Sequence, residues 1–163
     1  MGLKTEVDQI LQQSLHVAYR PPEAGLTIAA HNLFVLSGGP ALVLAFFAYA
    51  DTATAGASTL QVTACGVNLE NAAVVCNLLI GEMAVWPLHG ANVGDVIVPN
   101  VAVTPYPPLA TELLGMAGGI MISPGAAAGD LFVLTVGAAI AAGFTSFFVY
   151  YYKMRPETLI SPV

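Results

Sequence analysis

Positive charge is nearly missing from this chain. Its 163 residues hold 4 lysines and arginines, at Lys4, Arg20, Lys153 and Arg155, and none falls between Pro21 and Tyr152. Every charged residue in that interval is acidic: Glu23, Asp51, Glu70, Glu82, Asp95, Glu112 and Asp130. A protein that grips phosphates needs Lys or Arg to replace the counterions it displaces. Nucleic acid is therefore excluded as a partner, and the net charge of -6 offers nothing to an anionic membrane surface.

Charge of either sign is scarce as well. Charged residues make up 9% of the chain and hydrophobic ones 56%, against about 25% charged in an ordinary globular domain, and the mean hydropathy is +0.76. That leaves too little charge to coat a solvent-facing surface. Two settings accept such a chain: a lipid bilayer, or an assembly in which much of the exterior becomes interface.

Cysteine is limited to Cys65 and Cys76, too few for a disulfide scaffold or a cysteine zinc site. A bridge between them requires their Cα atoms within about 7 Å, and the residues alone leave that open. The start, Met1-Gly2-Leu3-Lys4-Thr5-Glu6, has no apolar run of the export type and no myristoylation motif, so no targeting segment is expected.

Recognisable chemistry is missing too. His16, His31 and His89 lie far apart without a Cys, His or carboxylate at ligand spacing, so no metal site is expected. No G-x-S-x-G elbow, phosphate-binding loop or dinucleotide fingerprint occurs. The acids mostly abut turns instead of forming a pair for acid and base work, and Trp86 reads as core or interface. The expectation is a non-enzyme without cofactors.

What the chain does have begins with a helical pattern. Val7, Ile10, Leu11 and Leu15 recur at helical spacing, with Glu6, Asp8, Gln9, Gln12 and Gln13 between them. This predicts a short amphipathic helix over about 3–17, ended by Arg20-Pro21-Pro22. From Leu33 the rhythm changes to short runs rich in β-branched and aromatic residues, separated by Gly, Pro, Asn and Asp, the mark of an all-β chain.

Strands are predicted at Leu33–Ser37, Ala41–Ala50, Thr59–Cys65, Ala72–Leu79, Asp95–Val98, Gly119–Ile122, Asp130–Val136 and Phe144–Met154. Gly38-Gly39-Pro40 reads as a tight reversal, Gly66 to Asn71 as a turn, and the prolines of 99–108 as an exposed loop or edge. The expected architecture is a β-sandwich or jelly-roll-like barrel. It divides the chain into an N-terminal arm over 1–25, a β-domain over 26–155 and an extended C-terminal tail over 156–163.

The case for lipid rests on the uncharged run Leu131 to Tyr152, followed by Lys153 and Arg155, since a transmembrane helix needs about 20 apolar residues. Gly137 and Gly143 interrupt it, and its Phe, Val, Thr and Tyr content suits two strands and a loop better. Along 144–152 both alternating sets are apolar: Phe144, Ser146, Phe148, Tyr150 and Tyr152 on one side, Thr145, Phe147, Val149 and Tyr151 on the other. A strand buried on both faces, toward a core and toward a partner, has this composition. The reading is assembly, with no membrane.

The order of blocks carries a resemblance. Leu33-Phe34-Val35-Leu36-Ser37-Gly38-Gly39-Pro40 leads an apolar strand and a small-residue loop, followed by Thr59-Leu60-Gln61-Val62-Thr63-Ala64. Gly118-Gly119 then runs into Ile120-Met121-Ile122-Ser123-Pro124-Gly125, and Gly129-Asp130-Leu131 opens a terminal hairpin ending in Tyr and a basic residue. This order resembles small virion proteins of tailed bacteriophages, of the capsid decoration or cement type.

The resemblance implies a homotrimer, made in the host cytoplasm, that binds the major capsid protein where shell subunits meet and stabilises the icosahedral shell. A tail or neck protein of the same virion is the alternative, and a small integral membrane protein a more distant one. The expected interface residues are Val7, Ile10, Leu11 and Leu15 in the arm, and Phe147, Phe148, Tyr150, Tyr151 and Tyr152 near a subunit seam.

Overall fold

The computed structural model describes residues 14–24, 26–53, 58–69, 74–76, 78–87, 102–103, 119–125, 130–137 and 143–163. Among these the chain is all β, in two antiparallel sheets. The first sheet has the order β1 (Leu15–Ala24), β11 (Phe144–Lys153), β3 (Ala41–Ala50), β7 (Glu82–Pro87) and β8 (Ala102–Val103), with β9 (Ile120–Ile122) also on β3. The second has the order β12 (Leu159–Pro162), β2 (Ala30–Ser37), β10 (Leu131–Val136), β4 (Ser58–Ala64) and β5 (Val67–Asn68), with β6 (Val74–Cys76) also on β4.

One core joins the sheets. Phe46, Trp86, Phe147 and Val149 of the first and Phe34, Leu60, Phe132 and Ile160 of the second belong to a single buried cluster. Trp86 meets Phe46 edge to face at 5.4 Å, and Phe34 meets Phe132 likewise at 6.2 Å, the arrangement aromatic quadrupoles favour. Alternation puts these side chains on one side of each strand, as a half-buried sheet requires.

The chain changes sheets at a double corner. Gly38-Gly39-Pro40 is not a hairpin reversal but the passage from β2 in one sheet to β3 in the other. Residues 154–158 make the equivalent passage from β11 to β12 alongside it. The two corners are tied by Met154 N–H to Pro40 O at 3.2 Å and by the Thr158 hydroxyl to the same oxygen at 3.1 Å. A two-strand ribbon thus bends from one sheet into the next, a recognised way to join packed sheets.

Further expectations need correction. The helix over 3–17 does not reach its stated end, because Leu15, His16 and Val17 already belong to β1; residues 1–13, with Val7, Ile10 and Leu11, lie outside the described residues. Leu15, Val17 and Tyr19 alternate with His16, Ala18 and Arg20, a period of two that overlaps the helical spacing of the residues before it. Pro21 and Pro22 do not end the strand, since they fall at a register shift between Arg20 and Glu23 on an edge strand, where no ladder donor is needed.

The tail, expected to be extended over 156–163, begins with a turn at Pro156 and Glu157, and its extended part, Leu159–Pro162, is a strand with its partner within the chain: Leu159, Ile160 and Ser161 pair with Ser37, Leu36 and Val35. The run 131–152 is two strands and a loop, yet no terminal hairpin, because β10 and β11 sit in different sheets. The predicted strand at 95–98 lies outside the described residues, and within the proline-rich 99–108 the described Ala102–Val103 forms the outermost strand of its sheet.

Candidate interaction surface

The side of the first sheet turned away from the core is also apolar. Strand register sets its rows. Leu15 pairs with Tyr152, which pairs with Leu42, which pairs with Met121. Val17 lies opposite Tyr150 and Ala45, and Tyr19 opposite Phe148 and Phe47. A shift between Tyr150 and Tyr151 leaves Leu44 as the extra residue of a bulge, which keeps Leu42 and Ala45 on the same face.

Ala45, Phe47 and Met83 form a second buried cluster there, with Tyr49, Phe148 and Tyr150 packed against it. Ring contacts tie the strands together: Tyr19 to Phe148 at 5.0 Å, and Phe47 to Tyr150 at 4.9 Å, edge to face. Burial raises the Tyr150 phenol above its ordinary pKa, so this hydroxyl stays neutral at physiological pH. No charged side chain enters these rows.

Exposure falls from β1 to β3 and rises again at β9. On β1 Leu15, Val17 and Tyr19 are 39%, 50% and 46% exposed, and Met121, on β9 at the far end of its row, is 52% exposed, while Ala45 and Phe47 between them are fully buried. The open part is therefore a strip along β1 and β11, with Met121 exposed beyond β3. The outer side of the second sheet is mixed: Thr59, Gln61, Thr63, Thr135, Ser37 and Ser161 share it with Val35, Leu131, Val133 and Leu159, the last 46% exposed.

The strip divides the expected interface residues. Leu15, Phe148, Tyr150 and Tyr152 are brought together on it. Phe147 and Tyr151 are not available to a partner, since both point into the main core and are buried; the phenol of Tyr151 accepts the Ile160 N–H at 3.2 Å. Val17, Tyr19, Leu42 and Met121 belong to the surface and were missed. The period-two pattern of 15–19 was the signal for the first two.

Polar groups elsewhere serve the fold. The guanidinium of Arg20 donates to Asn32 O at 2.6 Å and Leu33 O at 3.1 Å in the other sheet, and also to Val163 O. Ser146 Oγ donates to Asp51 Oδ2 at 2.5 Å, and Glu82 Oε2 accepts the Leu79 N–H at 2.8 Å. Among the described residues no three His, Cys, Asp or Glu side chains gather as they would around a metal ion.

The two cysteines are apart. Cys76 pairs in register with Ser58, at the opposite end of β4 from Cys65, roughly 20 Å away at 3.3 Å per residue, so Cys65 is a free thiol. Burial, with the Asp130 carboxylate adding to it, raises its pKa to about 11. Among the described residues no helix is long and apolar enough to cross a membrane. No protein-family model, curated protein or solved structure matches this chain.

Proposed function

We propose that this chain is a non-catalytic structural protein of a virion, a capsid decoration or cement subunit that binds where major capsid subunits meet. The scaffold in this reading is a β-sandwich, or a jelly-roll-like barrel opened at its edges, and the working form is a homotrimer. The observation that carries it is the uncharged aromatic face of the first sheet, with Leu15, Val17, Tyr19, Tyr150 and Tyr152 beside a core that is already complete. An apolar face of this kind is stable only when a partner covers it. The block order of the sequence, apart from its last block, which is two strands in different sheets and not a hairpin, resembles small virion proteins of tailed bacteriophages and supports a shell as the place.

The test is a copy count. Particles purified from the source of this chain are dissolved and its copies are measured against the major capsid protein by quantitative mass spectrometry. A number of the same order as the capsid subunits is expected. A handful of copies per particle would move the protein to the tail or neck, and its absence from particles, with retention in lipid after alkaline carbonate washing, would overturn the reading.

A further inference from the structure

β1 is the outermost strand of the first sheet, and the register shows which of its backbone groups face outward. The Met154 N–H bonds Pro40 O at 3.2 Å, one step beyond the pair Lys153–Ala41. Bonding alternates along an antiparallel ladder, so Tyr152, Tyr150 and Phe148 turn their backbone groups to β3, and Tyr151, Val149 and Phe147 turn theirs to β1. The partners of this second set are His16, Ala18 and Arg20. Leu15, Val17 and Tyr19 therefore point N–H and C=O away from the sheet, and among the described residues no strand lies beyond them.

The neighbouring edge, β12, is closed. The Val163 N–H on Leu33 O continues the pairs Leu159–Ser37 and Ser161–Val35, which leaves Ile160 and Pro162 facing outward. The phenol of Tyr151 takes the Ile160 N–H at 3.2 Å, and Pro162 has no N–H to offer. β1 is guarded in the same way after Tyr19, by Pro21 and Pro22. Its first half has no such guard, and Leu15, Val17 and Tyr19 are exposed there. An open row of donors and acceptors flanked by apolar side chains is a template for one more strand.

What fits is an extended segment, without proline opposite Leu15, Val17 and Tyr19 and with apolar side chains at those positions to lengthen their rows. A second copy of this chain offers no such strand among the described residues. Its β12 edge is closed, and the outermost strands on the far side, β5 and β8, are two residues each. Pairing β1 with another β1 would set two apolar strips side by side and cover neither. We infer that β1 accepts, between Leu15 and Tyr19, an extended segment of a different protein, which joins the first sheet as an added strand.

This rests on the proposed function for the donor being a capsid subunit, and on the edge alone for the mode of binding. Hydrogen exchange of the full chain, resolved to single amides by fragmentation in the mass spectrometer, tests it with two probes. The first is a soluble peptide of alternating valine and threonine. On binding it the amides of Leu15, Val17 and Tyr19 are expected to slow by roughly tenfold or more, while those of His16 and Ala18, already held by β11, keep their rates. A peptide that does not bind, or binds without this slowing, would overturn the inference. Protection of the three amides in the free chain that is lost on dilution would assign the edge to a second copy and overturn it as well.

Val17→Pro removes an outward donor and no ladder donor, so it is expected to keep the near-ultraviolet circular dichroism and lose the peptide. Retention of the peptide by this variant would count against strand addition. The second probe is capsid shells freed of this chain, on which the same three amides are expected to slow. The two proposals fail separately: shells that bind the chain without slowing them overturn strand addition and leave the capsid reading, and capture of the peptide by a chain that shells ignore does the reverse.

Discussion

Arg20 places its guanidinium on the backbone oxygens of Asn32 and Leu33 across the gap between the sheets, and on Val163 beside β12. In a chain with 4 basic residues, this one links three strands. Hydrogen bonds to a charged donor contribute about 1.5–3 kcal/mol each, less where solvent reaches them. Arg20→Ala is accordingly expected to lower stability by about 2 kcal/mol, read as a shift of the urea midpoint. Arg20→Lys is expected to recover part of that, because all three bonds come from the one nitrogen Nη1 and an ammonium can replace it as far as its shorter stem reaches.

Cys65 gives a second prediction at this scale. It adopts φ 47° and Gly66 φ 80° between the paired residues Ala64 and Val67, the geometry of a two-residue hairpin turn with both central residues left-handed. The thiol is buried there with its pKa raised to about 11, and only the thiolate attacks reagents. The raised value means that the folded chain holds its proton where an unfolded chain has begun to lose it. In a Cys76→Ser variant, a chromogenic disulfide reagent at pH 8 is expected to react with the native protein far more slowly than with the urea-unfolded protein. The native rate is expected to climb as pH approaches 11. Equal rates in the two states at pH 8 would contradict the buried turn.

The corner between β2 and β3 shows how one element fixes another. Gly38 has φ +74°, and a Cβ there would lie 2.0 Å from the backbone oxygen of Glu157. Both the backbone conformation and the space require glycine. Gly38→Ala should cost about 2–4 kcal/mol, the range of a strained backbone plus a displaced neighbour. At Gly125 nothing lies within 4 Å of an added Cβ, so Gly125→Ala should be nearly neutral by the same thermal melt. The Gly-Gly-Pro motif was legible in the sequence as a break. Its partner at Glu157, more than a hundred residues away, was not.

Strands were readable in proportion to their self-sufficiency. The bounds of β3 match the expectation at both ends, and those of β10 and β11 lie within one residue, because long apolar runs ended by glycine or a charge leave little choice. The strands that were missed, β1, β5, β7, β8 and β12, each need a neighbour, β5 being two residues paired with the end of β4. β1 carries two prolines and is held by β11, β7 by β3, β8 is two residues long, and β12 is extended only because β2 receives it. The same limit applied to the surface. Composition showed that β11 is apolar on both sides, but only pairing shows which side β1 extends and which side Trp86 and Phe46 already fill.

As a whole, the molecule has two outer faces of unlike character on one core. One mixes hydroxyls and an amide with Val35, Leu131, Val133 and Leu159, whereas the aromatic one contributes only when covered, at roughly 25 cal/mol for each Å² removed from water. Fold and assembly should therefore separate by mutation. Phe147→Ala opens the main core and should cost about 3–5 kcal/mol of stability. Val17→Asp, half exposed on the open strip, should change stability by under about 1 kcal/mol yet abolish self-association in sedimentation velocity. The attraction involved is not ionic, since no charge enters the rows of the face. Raising sodium chloride from 50 mM to 1 M, which shortens the screening length from more than 10 Å to about 3 Å, should leave association intact, and sodium sulfate should strengthen it. Dissociation in high sodium chloride would show that the acidic residues, and not the aromatic strip, hold the assembly together.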